Sequence, residues 1–169
     1  MDSFKKFEVT EIKDNPFKLI GRDWMLITAG NIEKFNTMTA SWGALGVLWN
    51  KNTSTVYVRP TRYTYKFLEN NDYYTLSFFP EKYRSALNFC GANSGKDINK
   101  VKKTGLCPLK GEFGVYFNEA RLVFECKKLF YSELAPERLI DKSLDEANYP
   151  NKDYHRMYIG EILNCLVKE

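Results

Sequence analysis

The sequence predicts a mainly β protein, an antiparallel barrel with peripheral helices, and three observations carry that prediction. Short apolar or alternating runs recur between clusters of Gly, Asn, Asp and Pro, which is the pattern of strands and turns. Strand-favouring aromatics are abundant: 12 Phe and 11 Tyr help bring the aromatic fraction to 15% of 169 residues. Strand, helix, strand repeats are few, which argues against a doubly wound parallel sheet.

Taken in order, residues 1–23 mix Phe4, Phe7, Val9 and Ile12 with charges and read as an entry strand or arm, broken at Asn15–Pro16 and Gly21. Residues 24–29 (WMLITA) are near-continuously apolar, as in a strand buried on both faces. A short turn over 31–35 leads into the strand TMTASW, where Thr37, Thr39 and Ser41 alternate with Met38, Ala40 and Trp42. Residues 43–49 read as a loop near a ligand or a dimer contact, and 50–54 as a polar hairpin turn before the strand 55–59 (TVYVR). The Asn52, Thr53, Ser54 triplet fits a glycosylation sequon and is assigned to that turn.

A helix over 61–70 follows, with Thr61 or Thr64 at its N-cap. Then come a strand over 73–79 and a helix over 81–90, opened by Pro80 and ended by Gly91, with Tyr83, Ala86, Leu87 and Cys90 on one face. A short amphipathic turn through Ile98 and Val101 precedes strands at 114–117 and 121–131, the second bulged at Lys127–Lys128. Residues 135–148 form a helix or lid-like loop. A final strand spans 154–167, interrupted at Gly160.

The chain, residues 1–169, fits one domain and is long enough to bury about two thirds of its unfolded surface without staples. Its 44% hydrophobic content excludes disorder. A net charge of +4 arises from 25 basic and 21 acidic residues that are interspersed, whereas a dedicated nucleic-acid binder concentrates its positive charge. The N-terminus has no apolar core of secretory length, and no segment approaches the roughly 20 apolar residues of a membrane span, so a cytoplasmic location is expected. Cys90, Cys107, Cys126 and Cys165 lack metal-ligand spacing, and with one histidine they read as reduced, packed thiols; no metal site is assigned.

The chemistry concentrates between Asn36 and Thr64. Small hydroxyl residues on one strand face suit something flat and polar. Beyond the next strand, Arg59 and Arg62 flank a helix start whose free N–H groups and threonine hydroxyl make a phosphate site. A flat ring at one end and a phosphate at the other outline a mononucleotide such as FMN.

NTMTASWG, VRPTRYTYKFLE, the strand YYTLSFF and the later CGANSGKDINK together resemble the flavin reductase family, including its flavoredoxin-like members, in order and spacing over roughly residues 24–166. The resemblance implies the FMN-binding split-barrel fold, a homodimer whose interface completes the flavin site, and oxidation of NAD(P)H with electrons passed to a flavin or other small acceptor. It implies that the segment holding Asn36, Met38, Thr39, Ala40, Ser41 and Trp42 runs alongside the isoalloxazine, where small side chains permit close backbone approach. Arg59, Thr61, Arg62, Tyr63 and Thr64 then serve the phosphate, with Arg59 foremost. The family's SG[RK]D segment places Cys90, Gly91, Ser94, Gly95, Lys96 and Lys100 beside the flavin and its phosphate.

Gly91, Gly95 and Lys96 approach a P-loop, but the spacing is one residue short and Asp97 stands where a magnesium-binding hydroxyl belongs, which rejects a nucleoside triphosphatase. His155, the single histidine, is a structural or substrate-side residue and a weak candidate for catalysis. Flavin chemistry needs no acid–base pair, so the missing triad does not argue against an enzyme. Two other functions fit the residues: an FMN-holding electron-transfer protein without nicotinamide turnover, and a small barrel binding nucleic acid through surface Lys and Tyr.

Overall fold

The computed structural model describes residues 3–169. In chain order the elements are β1 (Phe4–Phe7), α1 (Pro16–Lys18), β2 (Met25–Asn31), β3 (Lys34–Ala40), β4 (Gly43–Leu48), β5 (Lys51–Val58), α2 (Tyr63–Glu69) and β6 (Tyr73–Phe78). There follow α3 (Arg84–Ala92), α4 (Lys100–Thr104), β7 (Pro108–Lys110), β8 (Val115–Phe117), β9 (Leu122–Glu133), α5 (Ser143–Asn148) and β10 (Arg156–Lys168).

Every strand pairing is antiparallel, and the main sheet runs β3-β2-β6-β9-β10-β5-β4. β10 is long enough to serve two neighbours on one edge, β5 along residues 156–161 and β1 along 165–168. The two outermost strands, β3 and β4, are joined through only Ser41 and Trp42. A two-residue link between opposite edges requires the sheet to curl until they meet, yet β3 and β4 do not pair. The result is the expected mainly β split barrel, open along a seam.

β2 shows why the sequence folds this way. Met25, Ile27 and Ala29 enter the barrel core with Met38, Val56, Tyr74, Phe78 and Phe124, while Leu26 joins Leu87, Cys90, Phe117 and Val123 under α3 and β8. Both faces of β2 are therefore buried, as its continuous apolar run requires. At about 25 cal/mol per Å2 of apolar surface, each of the larger side chains, such as Met25, Leu26 and Ile27, contributes about 1.5 to 3 kcal/mol. Inside the barrel the Tyr74 hydroxyl meets Ser54 Oγ at 2.7 Å, and Ser54 Oγ lies 3.3 Å from Cys126 Sγ. A Cβ at Gly160 would fall 2.4 Å from that tyrosine oxygen, so β10 needs glycine there.

Several expectations are corrected. Residues 43–49 are not a loop: Gly43–Leu48 is the edge strand β4, paired with β5 from Gly43↔Val56 to Leu48↔Lys51. An edge strand packs few side chains and tolerates two glycines. The polar turn moves accordingly. It consists of Trp49 and Asn50, both left-handed (φ 53° and 57°), as a two-residue hairpin demands, and Asn52 lies within β5. α3 begins at Arg84 after a 3-10 turn and runs past Gly91 to Ala92. The bulge in β9 leaves Leu129 unpaired opposite the step from Ile159 to Gly160, so Gly160 shifts register without ending β10. β7 lacked a sequence signal, and residues 135–148 form a 3-10 turn and the short α5.

Candidate functional site

The seam between β3 and β4 opens into a cleft of about 290 Å3 lined by Met38, Thr39, Ala40, Ser41, Trp42, Tyr57, Arg59, Arg62 and His155. The β3 end and the link supply the first five, β5 supplies Tyr57, the residue just past its end is Arg59, and the turn before α2 supplies Arg62. Met38 and Ala40 are buried and pack into the barrel core, so they reach the cleft mainly through backbone. Thr39 lies on the opposite face, where its hydroxyl donates to the carbonyl of Leu87 at 2.5 Å and fastens β3 to α3. Ser41 is half-buried and Trp42 is 45% exposed.

The two arginines differ in how their charge is met. Arg59 Nη1 makes a 2.6 Å ion pair with Asp153 Oδ1, Nη2 donates to the carbonyl of Asn148 at 2.8 Å, and the guanidinium lies over the Tyr149 ring at 5.1 Å. Arg62 Nη1 donates to the carbonyl of Gly91 at 2.9 Å, and no carboxylate pairs with it among the described residues. Burial lowers its pKa. An incompletely compensated cation facing a cleft favours an anion there.

His155 is buried, its Nδ1 lies 2.9 Å from the Tyr149 hydroxyl, and its ring packs on Trp42 with centroids 5.0 Å apart. Burial, reinforced by the Arg59 charge and opposed by Asp153, pushes its pKa down to about 4, so the imidazole is neutral near pH 7.

Five of the remaining expected residues gather next door. A second cavity, of about 460 Å3, is lined by Asn36, Tyr63, Gly95, Lys96 and Lys100, with Thr37 and Phe67. Consecutive residues separate the two spaces: Thr37 and Tyr63 line one, Met38 and Arg62 the other. Lys100 Nζ donates to the carbonyls of Thr37 (2.7 Å) and Cys90 (2.8 Å), clamping β3 to α3. Burial, with help from Arg62 and against Cys90, brings its pKa down to about 8. Cys90 is itself buried, and burial raises its thiol pKa. Asn36 Nδ2 donates to Thr64 Oγ1 at 2.7 Å, and a Cβ at Gly95 would sit 1.8 Å from Asn36 Oδ1. Thr61 and Ser94 are exposed and line neither space.

Two details of the expected site change. The N-cap of α2 is Arg62, with no side-chain capping bond; Thr61 precedes it, and Thr64 is a buried residue of the first turn whose hydroxyl is occupied by Asn36. Thr37 does not present its hydroxyl to a ligand, because Thr28 Oγ1 donates to it at 2.9 Å inside the sheet. Tyr57, Tyr149 and Asp153 are additions. Alternation along 55–59 sets Tyr57 on the same face as Arg59 and was a usable signal; nothing local marks Tyr149 or Asp153.

A curled antiparallel sheet with this cleft at its seam defines the split-barrel class. The chain matches the flavin reductase like domain over residues 17–169 and belongs to that family. Solved structures agree on the fold. The FMN-binding domain of a flavin reductase-like enzyme from Shewanella baltica superposes with a TM-score of 0.71 at 15% identity, covering 98% of this chain and 78% of that one. Flavoredoxin from Methanosarcina acetivorans gives 0.70 at 21% identity, over 96% and 77%. An NADH:FAD oxidoreductase from Streptomyces globisporus gives 0.65 at 14%, over 87% and 78%. No curated protein matches the chain.

Proposed function

We propose that the protein binds FMN in the seam cleft and acts as an NAD(P)H-dependent oxidoreductase that hands electrons to a flavin or another small acceptor. The observation that carries this reading is Arg62, a partly buried cation without a carboxylate partner among the described residues, set beside the backbone of Met38–Trp42. Family membership supports the choice of flavin over other anions.

The residues fit the group. Small side chains at Ala40 and Ser41 leave room for a flat ring against the strand, and Arg62 offers charge to an anion. FMN held there would supply two-electron redox chemistry between a reduced nicotinamide and an acceptor. The chain orients and shields: Trp42 and the neutral His155 form an aromatic wall, and Tyr149 holds the imidazole. Lys100 keeps β3 and α3 in register beneath the cleft.

The cleft volume of about 290 Å3 falls just below the range for small-molecule sites, which run from roughly 300 to 1,000 Å3. That favours a site completed by a second copy, so a homodimer belongs to the proposal. A cytoplasmic location does too; among the described residues no helix is long and apolar enough to cross a membrane.

Gel filtration of the purified protein after incubation with FMN tests the binding claim. Flavin absorbance that co-elutes with a dimer is the expected result. A colourless protein that binds oligonucleotides in a salt-dependent way is the contrary one.

A further inference from the structure

On the far side of Ser41, Trp42 and Tyr57 lies a third cavity, of about 550 Å3. These three residues line both it and the seam cleft, so the two spaces share a wall. The rest of its lining comes from α1, the turn after it, β4 and the residue after β9, and includes Phe17, Ile20, Gly21, Ala44, Leu45 and Leu134. Among the described residues no charged side chain lines it, whereas the cleft beyond the wall holds Arg59, Arg62 and His155. The half-buried hydroxyls of Ser41 and Tyr57 bond to no other protein group among the described residues.

We propose that this cavity receives an uncharged quinone, whose ring lies among the apolar side chains and whose carbonyl oxygens accept hydrogen bonds from Ser41 and Tyr57. The apolar lining disfavours any charged acceptor, because burying a charge without a partner is costly. Two unpartnered donors on the wall nearest the cleft suit a flat molecule with oxygen at its edge. The inference rests on the proposed function and names its acceptor. The reduced nicotinamide gives up a hydride, the quinone takes up two electrons and two protons, and both carbonyls become hydroxyls. NAD(P)H, one proton and quinone thus yield NAD(P)+ and hydroquinone, with the second proton coming from solvent. Ser41 and Tyr57 can donate to the quinone and accept from the hydroquinone, so the wall serves both forms.

Gly21 makes the idea testable without damage to the core, since a Cβ there meets nothing within 4 Å. Gly46, also in open space, lies on β4 outside the cavity and serves as the control. The probe is tetramethyl-1,4-benzoquinone, whose fully substituted ring resists addition by the exposed Cys107. Equilibrium dialysis without added FMN reads quinone binding, and a separate titration reads FMN. The expected result is that Gly21→Leu and Ala44→Leu each weaken quinone binding ten-fold or more and leave FMN affinity within two-fold, while Gly46→Leu changes neither. Quinone binding by a wild type that fails to bind FMN would sink the proposed function and leave the cavity assignment standing. The assignment is overturned if wild type does not bind the quinone, if both cavity variants bind it equally well, or if Gly21→Leu converts a dimer to monomers, which would make a second copy the occupant.

Discussion

Arg59 and Asp153 form a 2.6 Å ion pair that ties the end of β5 to the segment between α5 and β10. The carbonyl of Asn148 and the ring of Tyr149 engage the same guanidinium, and Tyr149 in turn holds His155 at the cleft. Arg59 therefore organises one wall of the cleft, while Arg62 has no carboxylate partner among the described residues.

That division predicts different outcomes for the two arginines. Arg62→Ala should weaken FMN ten-fold or more and riboflavin much less, because a charge-assisted contact to phosphate is worth about 1.5 to 3 kcal/mol and riboflavin lacks the phosphate. Arg59→Ala should weaken both ligands alike. Equal losses for both ligands in Arg62→Ala would remove the phosphate assignment.

Loss of the Arg59 contacts should also free the segment from Leu134 to His155. Hydrogen exchange there is expected to accelerate about ten-fold in Arg59→Ala, as for an opening made easier by about 1.5 kcal/mol. Unchanged exchange would mean that the strap is held by other contacts.

His155 gives a pH signature. Its pKa is about 4 folded and 6.5 unfolded, so the unfolded chain binds the extra proton first, and stability contributed by the neutral imidazole is lost as pH falls from 6.5 to 4. Wild type should lose stability across that window more steeply than His155→Gln, by at most one proton, or about 1.4 kcal/mol per pH unit. Denaturant melts at several pH values measure the difference; parallel curves contradict it.

Lys100 has the same sign at the alkaline end. Its pKa falls from 10.5 to about 8 on folding, so the unfolded chain again binds more protons, and stability relative to Lys100→Met should rise between pH 8 and 10.5. The comparison cancels the titration of tyrosines common to both proteins. A difference that is flat or falls with pH would show that Lys100 is not buried as a cation.

Much of the fold was legible because burial leaves a local mark. The unbroken apolar run of β2, the alternation of β3 and the aromatic strand β6 each announce which faces meet the core. β4 was missed because an edge strand with two glycines needs no such pattern. At the site, the segment Met38–Trp42 and both arginines were readable, and they do converge on one cleft. The protein partners of Arg59 and Lys100 were not readable, since Asp153 lies 94 positions from Arg59 and the carbonyls that Lys100 binds carry no residue identity. The packing of Ala40 within the barrel core was not readable either, since the resemblance pointed only to close approach of a ligand.

The most direct test of the central claim is anaerobic stopped-flow mixing of the FMN-loaded protein with NADH and, separately, with NADPH, following flavin absorbance. At least one nucleotide should bleach the flavin in a single turnover at a rate that saturates with its concentration, and readmitted acceptor should restore the colour. If neither nucleotide bleaches the bound flavin, the oxidoreductase reading is contradicted and an FMN-holding electron-transfer protein takes its place.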